Sequence, residues 1–391
     1  MNVLSVGIIG GGASGMIAAL KAASRGRSVM LCDRLSTLGK KLLACGGGRC
    51  NLSNENLDES AYNQNAQILI KAVFHAFGKD KILSLFEQIG LSVYSDEGRI
   101  FPVTNQSASV LKVLELELRR LQIPLALHFE VVGISRAQNG FNVTSKDRKS
   151  FLCQKLVLAG GGKTYPALGS NGSCYAFARQ FGHTIVDPVP AAVPLVTKDT
   201  LCHFLQGQRI AAEAKSIIDG KITGCAKGEV LFTKYGLSGT AILDISDSIS
   251  TALHRDKNKK VMVEVDMVPF MTAEALQSNL EKRDGQRTRP EDMLVGILPN
   301  KFSQALRGLP FDRLIETVKH KQFVIEGTRG WNEAEFTAGG VALEQVQPET
   351  LESKLQPGLF FCGEILDVHG RRGGYNLAWA WASGAVVGEN V

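Results

Sequence analysis

An apolar run from Val3 to Ile9 empties into Gly10-Gly11-Gly12-Ala13-Ser14-Gly15, and a second apolar run, Val29 to Cys32, ends on Asp33. The spacing predicts strand, glycine turn, helix, strand and acid in that order, the layout that grips the AMP half of a dinucleotide. Gly10 permits the tight turn, Gly12 lets a diphosphate reach the backbone, and Gly15 lets helix and strand close up. The helix start at Ala13 and Ser14 offers free N–H groups to phosphate. Asp33 is placed to accept from both ribose hydroxyls.

The same opening carries no charge from Met1 to Leu20 and could be taken for an export signal. It lacks a positive start, and its glycines fall where a phosphate turn needs them. No other stretch offers the roughly twenty apolar residues that span a bilayer. Gly373 to Gly388 comes nearest, but it is short and broken by Asn376 and glycines. The expectation is a soluble, cytoplasmic protein with no membrane partner.

At 391 residues and 44% hydrophobic content the chain can bury a large core, divided into two or three units. A net charge of +6 suits anionic phosphates but is too diffuse to argue for nucleic acid, so a small-molecule substrate is expected and no nucleic-acid partner. Lys257 to Lys260 reads as a solvated loop. The scattered cysteines read as reduced, buried side chains.

Glycine returns three times. Lys40 and Lys41 precede Cys45-Gly46-Gly47-Gly48-Arg49-Cys50-Asn51, a bare turn among cations that suits an anion or the edge of a planar ring. Leu156 to Ala159 reads as a buried strand opening into Gly160-Gly161-Gly162, where ligands dock on an open α/β sheet. Leu359 to Gly363 with Glu364, Asp367 and Gly373-Gly374-Tyr375-Asn376-Leu377 forms a last strand, a loop and a helix. Between these, helical spacing covers 66–90 and Ser107 to Leu121. A hairpin is expected over 93–103, and strands over Leu125 to Ser135, Gly140 to Ser145 and Lys155 to Ala159.

From Pro188 the pattern changes. Strand-like sequence runs from Leu195 to Ile222, Glu229 to Ile245 and Val261 to Val268. Helical segments follow at Glu274 to Leu280, Glu291 to Ile297, Phe302 to Leu306 and Leu314 to Val318. The expected division is a discontinuous cofactor-binding domain, 1–187 with 332–391, an inserted β-rich domain, 188–270, and a helical part of the insert, 271–331.

These repeated glycine sites can wrap a ligand that extends well beyond its adenine, which favours FAD over NAD. If the last helix aims its N-terminus at the flavin pyrimidine edge, free N–H groups near Asn376 and Leu377 stabilise the anionic reduced ring.

Gly46 to Asn54, Gly228 to Thr233, Gly236 to Gly239, Thr337 to Val341, Gly363 to Val368 and Gly373 to Leu377 resemble the BaiN/aminoacetone-oxidase-like family of FAD-binding oxidoreductases. The resemblance implies an α/β, Rossmann-like FAD-binding domain of the glutathione-reductase type, with an inserted β domain and helical cap. It implies that Gly10, Gly12, Ala13, Ser14, Asp33 and Arg34 hold the AMP part, with the Val131 backbone at the adenine. Lys40, Lys41, Gly46, Gly47, Gly48 and Asn51 would lie along the diphosphate and ring, and Ala159, Gly160 and Gly161 beneath the ADP. Gly363, Glu364 and Asp367 would sit near the ribityl chain, and Gly374, Tyr375, Asn376 and Leu377 at the ring. Lys234 and Thr240 depart from the family pattern, as do His369, Arg371 and Arg372. If the loop bearing these three faces substrate, its added cations favour an anionic one.

The expected activity is hydride transfer between a small organic substrate or NAD(P)H and the flavin, with NADH or NADPH as a transient donor. Ketone-conjugated alkene reduction and amine oxidation both stay open, and no catalytic acid or base is assigned. A second reading uses Cys45 and Cys50 as a redox dithiol. A third is a non-enzymatic flavin-holding or RNA-associated protein.

Overall fold

Alternation of apolar runs with glycine turns builds the first sheet from its centre outwards. In the computed structural model, which describes residues 3–256 and 258–391, β1 (Leu4–Ile9) lies in the middle and its last four residues are buried. It leads through Gly10–Gly12 into α1 (Ala13–Ser24), whose mostly small, apolar residues are buried from Ser14 to Leu20. β2 (Val29–Cys32) returns parallel to β1. Lys257, within the run read as a solvated loop, lies outside the described residues.

Next come α2 (Lys40–Ala44), β3 (Ser53–Asn54), α3 (Gln67–Ala76), α4 (Lys79–Gln88), β4 (Val93–Asp96), β5 (Arg99–Pro102) and α5 (Ser107–Arg120). The helical stretch over 66–90 is thus two helices. Gly78 stands between them, where a Cβ would come 2.7 Å from Phe74 O. The single strand expected over 125–135 also divides, into β6 (Leu125–Ala126), parallel to β2, and β7 (Val131–Ala137). Between them the backbone turns at His128, with φ 54°.

β8 (Gly140–Ser145) and β9 (Ser150–Leu158) complete an antiparallel meander with β7, and β9 then runs parallel beside β1. α6 (Ser173–Gln180) and β10 (Ile185–Ala191) follow.

Residues 189–335 form a compact unit of their own, and 1–188 with 336–391 form the other. The first of these holds β11 (Leu195–Val196), α7 (Thr200–Phe204), β12 (Arg209–Ile218), β13 (Lys221–Thr233), β14 (Gly236–Ser238), α8 (Thr240–Arg255), β15 (Val261–Asp266), α9 (Ala273–Gly285), α10 (Asn300–Leu306), α11 (Phe311–His320), β16 (Lys321–Val324) and β17 (Gly327–Thr328). Its sheet runs β16-β15-β12-β13-β14-β11-β17 and is antiparallel throughout.

Three expectations change here. The strand expected to reach Ile245 gives way to α8, because Ile242, Ile245 and Ile249 recur at helical spacing and bury one face. The helix expected over 291–297 is a single 3-10 turn, Pro290–Asp292, followed by irregular chain. The segment 271–331, read as helical, also supplies β16 and β17, the two edges of the sheet. In β16 burial alternates, with Phe323 inside and Gln322 and Val324 out, a period too short to register in sequence.

The chain then re-enters the first unit. β18 (Phe336–Val341) pairs with β10, β19 (Leu359–Phe361) adds a parallel strand to β9, and α12 (Tyr375–Asn390) closes the fold. α12 lies against α1 at backbone distance. A Cβ on Gly388 would come 2.6 Å from Ala18 O, and one on Gly384 would collide with Ser14 O. Small residues on both helices therefore let the first half of α1 lie against the C-terminal half of α12.

Candidate active site

The turn from Gly10 to Gly12 is built by backbone crowding on one side and open space on the other. Gly10 takes φ 110°, and a Cβ there would collide with Ala159 O; a Cβ on Gly12 would meet nothing within 4 Å. α1 begins at Gly12 with no side-chain cap and no acid in its first turn, so its first N–H groups stay free for an anion. Ser14 turns its hydroxyl to Cys362 O at 3.3 Å, tying this helix start to the end of β19.

Asp33 is fixed by the chain on either side of it. Its Oδ2 accepts from Gly11 N at 2.7 Å and its Oδ1 from Leu35 N at 2.8 Å, which fixes the carboxylate beside the turn. Its carbonyl accepts from Phe129 N, bringing the start of β7, and so Val131, to the same end of the sheet. Arg34 donates to Pro166 O at 3.2 Å, joining the chain beyond Gly160 and Gly161 to the acid loop.

The two adjacent lysines separate. Lys41 pairs with Glu364 and also donates to Thr164 Oγ1. The other Glu364 oxygen accepts from Thr337 N at 2.7 Å and from Thr164 Oγ1 at 3.2 Å. Lys163 N donates to Thr337 Oγ1 at 2.8 Å, and the Glu364 carboxylate itself gathers three partners distant in the chain, Lys41, Thr164 and Thr337. Lys40 makes no ion pair among the described residues, and the preceding Gly39 donates to Gly11 O, placing Lys40 next to the phosphate turn. Thr164 and Thr337 were missed in sequence; a hydroxyl beside a glycine run carries no period and no spacing that would mark it.

The second glycine turn, Gly46 to Gly48, is left-handed at each glycine, with open space at Gly47 and Gly48. Arg49 does not remain free to hold an anion. Its guanidinium bonds Asn105 and Tyr94, lies 3.6 Å from Asp96 and stacks over Phe101. Cys45 and Cys50 are reduced thiols not joined to each other, and burial pushes the Cys50 thiol far up, which disfavours the thiolate that dithiol chemistry requires.

At the far end, the loop from Asp367 to Gly374 is clamped from outside. Asn63 N donates to His369 O, Asn63 Oδ1 accepts from His369 N, Asn63 Nδ2 donates to Asp367 O, and Arg371 N donates to Ala61 O. Asp367 Oδ1 accepts from Gly339 N at 3.0 Å. The Asn376 amide closes on Gly370, accepting from its N–H and donating to its carbonyl, both at 2.9 Å. The His369 ring lies flat on Phe336.

α12 begins at Gly374 with φ 101°, where a Cβ would collide with Ser53 O and come 2.7 Å from Asn51 Oδ1. Asn54 Nδ2 donates to Gly373 O, Trp381 to Leu52 O and Trp379 to Gly363 O, so the segment 51–54 and Gly363 are both fastened to this helix. Like α1, α12 has no side-chain cap and no acid in its first turn. The unit thus holds two uncapped helix starts, at α1 and at α12.

A model described as HI0933-like protein Rossmann domain matches residues 4–390. The chain belongs to that family. It is 37% identical to a 3-dehydro-bile acid delta(4,6)-reductase of Clostridium scindens, with 98% of each chain covered. It is 29% identical to a ribosomal RNA dihydrouridine synthase of Escherichia coli, over 98% of this chain and 97% of that one. A 3-ketosteroid delta1-dehydrogenase from Sterolibacterium denitrificans shares the fold with TM-score 0.53 and 12% identity, each chain covered to 99%. As a member of the HI0933-like family, the protein is an FAD-dependent oxidoreductase with a Rossmann-like FAD-binding fold. Among the described residues no helix is long and apolar enough to cross a membrane.

The residues present fit FAD. Open space at Gly12, Gly47 and Gly48 leaves bare backbone for the ligand, and two uncapped helix starts supply N–H donors without a competing acid.

Proposed function

We propose that this HI0933-like protein is an NAD(P)H-fed reductase of carbon–carbon double bonds conjugated to a carbonyl. The reading rests on what the named relatives have in common. Saturating a 4,6-diene beside a 3-ketone and saturating the 5,6 bond of uridine beside its 4-carbonyl are one reaction class, and this chain matches both relatives along nearly its whole length. The observation in this molecule that carries it is the free N-terminus of α12, which favours negative charge where the reduced cofactor would hold it.

Gly10, Gly12, Ala13, Ser14 and Lys40 are assigned to the diphosphate, and Asp33, Arg34 and Val131 to the adenosine. Ala159, Gly160 and Gly161 lie beneath it. Lys41, Glu364 and Asp367 brace the middle of the cofactor; Gly46 to Gly48, Asn51, Gly363 and Gly374 to Leu377 border its ring. FAD, when bound, supplies the two-electron chemistry. The protein's part is to orient the alkene, exclude water and deliver one proton.

A small-molecule substrate is favoured over ribosomal RNA. The relative of higher identity is named for a small molecule, and two of the cations near the site are already engaged, Lys41 by Glu364 and Arg49 by Tyr94 and Asp96. The cytoplasm is the assigned compartment, supported by eight cysteines that are all reduced thiols.

Anaerobic mixing tests the whole. NADH or NADPH should bleach the visible flavin band, and a conjugated enone should restore it. Bleaching by amines and not by either nicotinamide would overturn the reading in favour of amine oxidation.

A further inference from the structure

Saturating a conjugated alkene adds hydride at the β carbon and a proton at the α carbon, so an acid must stand at the reacting edge. We infer that this acid is the hydroxyl of Tyr375. The inference rests on the alkene-reductase reading and goes beyond it by naming the proton donor.

Tyr375 is the first residue of α12, directly at the free helix end. Its backbone is held tightly. Tyr62 donates its hydroxyl to Tyr375 O at 2.7 Å, the Tyr62 ring stands edge-on to the Tyr375 ring at 6.0 Å, and Asn376 ties the next residue back to Gly370. Its tip is not held. The Tyr375 ring is part-exposed, and its hydroxyl has no hydrogen-bond partner among the described residues.

Other phenols and the imidazole in this unit are bonded, stacked or shut away from solvent. Tyr62 spends its proton on Tyr375 O, Tyr94 is bonded to Asn105 and Arg49, and Tyr175 is 4% exposed with its hydroxyl sealed from solvent. His369 is stacked on Phe336. Among the described residues, Tyr375 joins a fixed root at the start of α12 to a reachable, unshared proton. The charged groups that act on it are Asp58 and Arg371, of opposite sign, and burial together with Asp58 keeps the phenol protonated through neutral pH.

The balance is complete. The alkene π bond breaks; the β carbon gains a hydride whose two electrons come from NAD(P)H by way of the cofactor; the α carbon gains the Tyr375 proton. Water reprotonates the phenolate through the exposed side of the ring, and NAD(P)⁺ is the oxidised product.

The test separates the half-reactions in stopped flow, with 2-cyclohexenone, a 3-oxo-4-ene steroid and uridine as oxidants. In flavin-loaded Tyr375→Phe, the rate of reoxidation by the alkene, taken relative to the rate of bleaching by NADPH in the same variant, should fall about 100-fold or more from the parent's ratio. The parent's reoxidation rate should also decline in alkali as the phenol ionises, and the variant's should not. Reoxidation of the variant within about 3-fold of the parent overturns the assignment. A parent that NADPH reduces but none of these alkenes reoxidises overturns the reductase reading, and the assignment falls with it.

Discussion

The starts of α1 and α12 present the same chemistry and are built in opposite ways. At α1 the turn itself is three consecutive residues, Gly10 to Gly12, and distant chain adds only two contacts: Ala159 crowds Gly10, and Asp33 braces Gly11. At α12 the same result depends on distant chain. Gly374 fits against Ser53, Asn54 holds Gly373, Ala61 to Asn63 clamp the loop, and Asn376 locks Gly370. An anion site that must admit a flexible diphosphate can be local. A site that must meet one edge of a rigid ring needs several segments to agree, because an error of about 1 Å there costs catalysis heavily.

Substitutions at the two starts should therefore fail differently. The largest effect is expected from Gly12→Asp. Its backbone, φ −80°, suits any residue and nothing lies within 4 Å, so the variant should melt within a few degrees of the parent while FAD titration shows affinity weakened about 100-fold or more by the added charge. Equal affinity would break the claim that α1 faces phosphate. Gly374→Ala should do the reverse: strain at φ 101° and the collision with Ser53 O should cost about 1–3 kcal/mol in urea unfolding, before any loss of affinity is considered.

Between the two lies Glu364, whose carboxylate is bonded by three partners. Lys41→Met should cost about 1–2 kcal/mol by leaving a carboxylate, itself about a fifth exposed, without its cation, and Lys41→Met with Glu364→Gln should regain part of that in a double-mutant cycle. Additive losses would show that the pair is not coupled. Asn376→Ala, which removes two hydrogen bonds from the loop and leaves the helix intact, should raise the KM for the alkene more than it lowers Tm.

The smallest effect serves as a control on both starts. Burial holds His183 below the ordinary histidine range, with Nε2 at 2.7 Å from Ser353 Oγ. A lowered folded value means the unfolded chain binds the proton first, so this stabilisation is full above about pH 6.5 and fades as the pH falls through that value. His183→Gln should flatten the acid limb of Tm against pH. An unchanged limb would remove His183 as its source.

The sequence showed the first strand, turn, helix and acid clearly because each is encoded by neighbours: apolar runs, a glycine spacing, one charge at a strand end. It also placed Gly46 to Gly48, Gly160 to Gly161 and Gly363 to Leu377 as bare or turning backbone. Side-chain partners were less visible. Lys40 and Lys41 look alike in sequence, yet one is paired and the other is not; Thr164, Thr337, Asn63 and Tyr62 carry no local mark of their part in the site. In the inserted unit, α8 and the edge strands β16 and β17 were misread because short amphipathic segments satisfy both periods, and the neighbours they pack against decide between them.

By itself, then, the sequence determined where the backbone is bare and where it turns, since those properties belong to single residues and their near neighbours. Only the tertiary structure decided which charges cancel, how α12 is aimed and which phenol keeps a free proton. Each of these is a relation between segments far apart in the chain, fixed when Ser14 meets Cys362, Lys41 meets Glu364 and Tyr62 meets Tyr375.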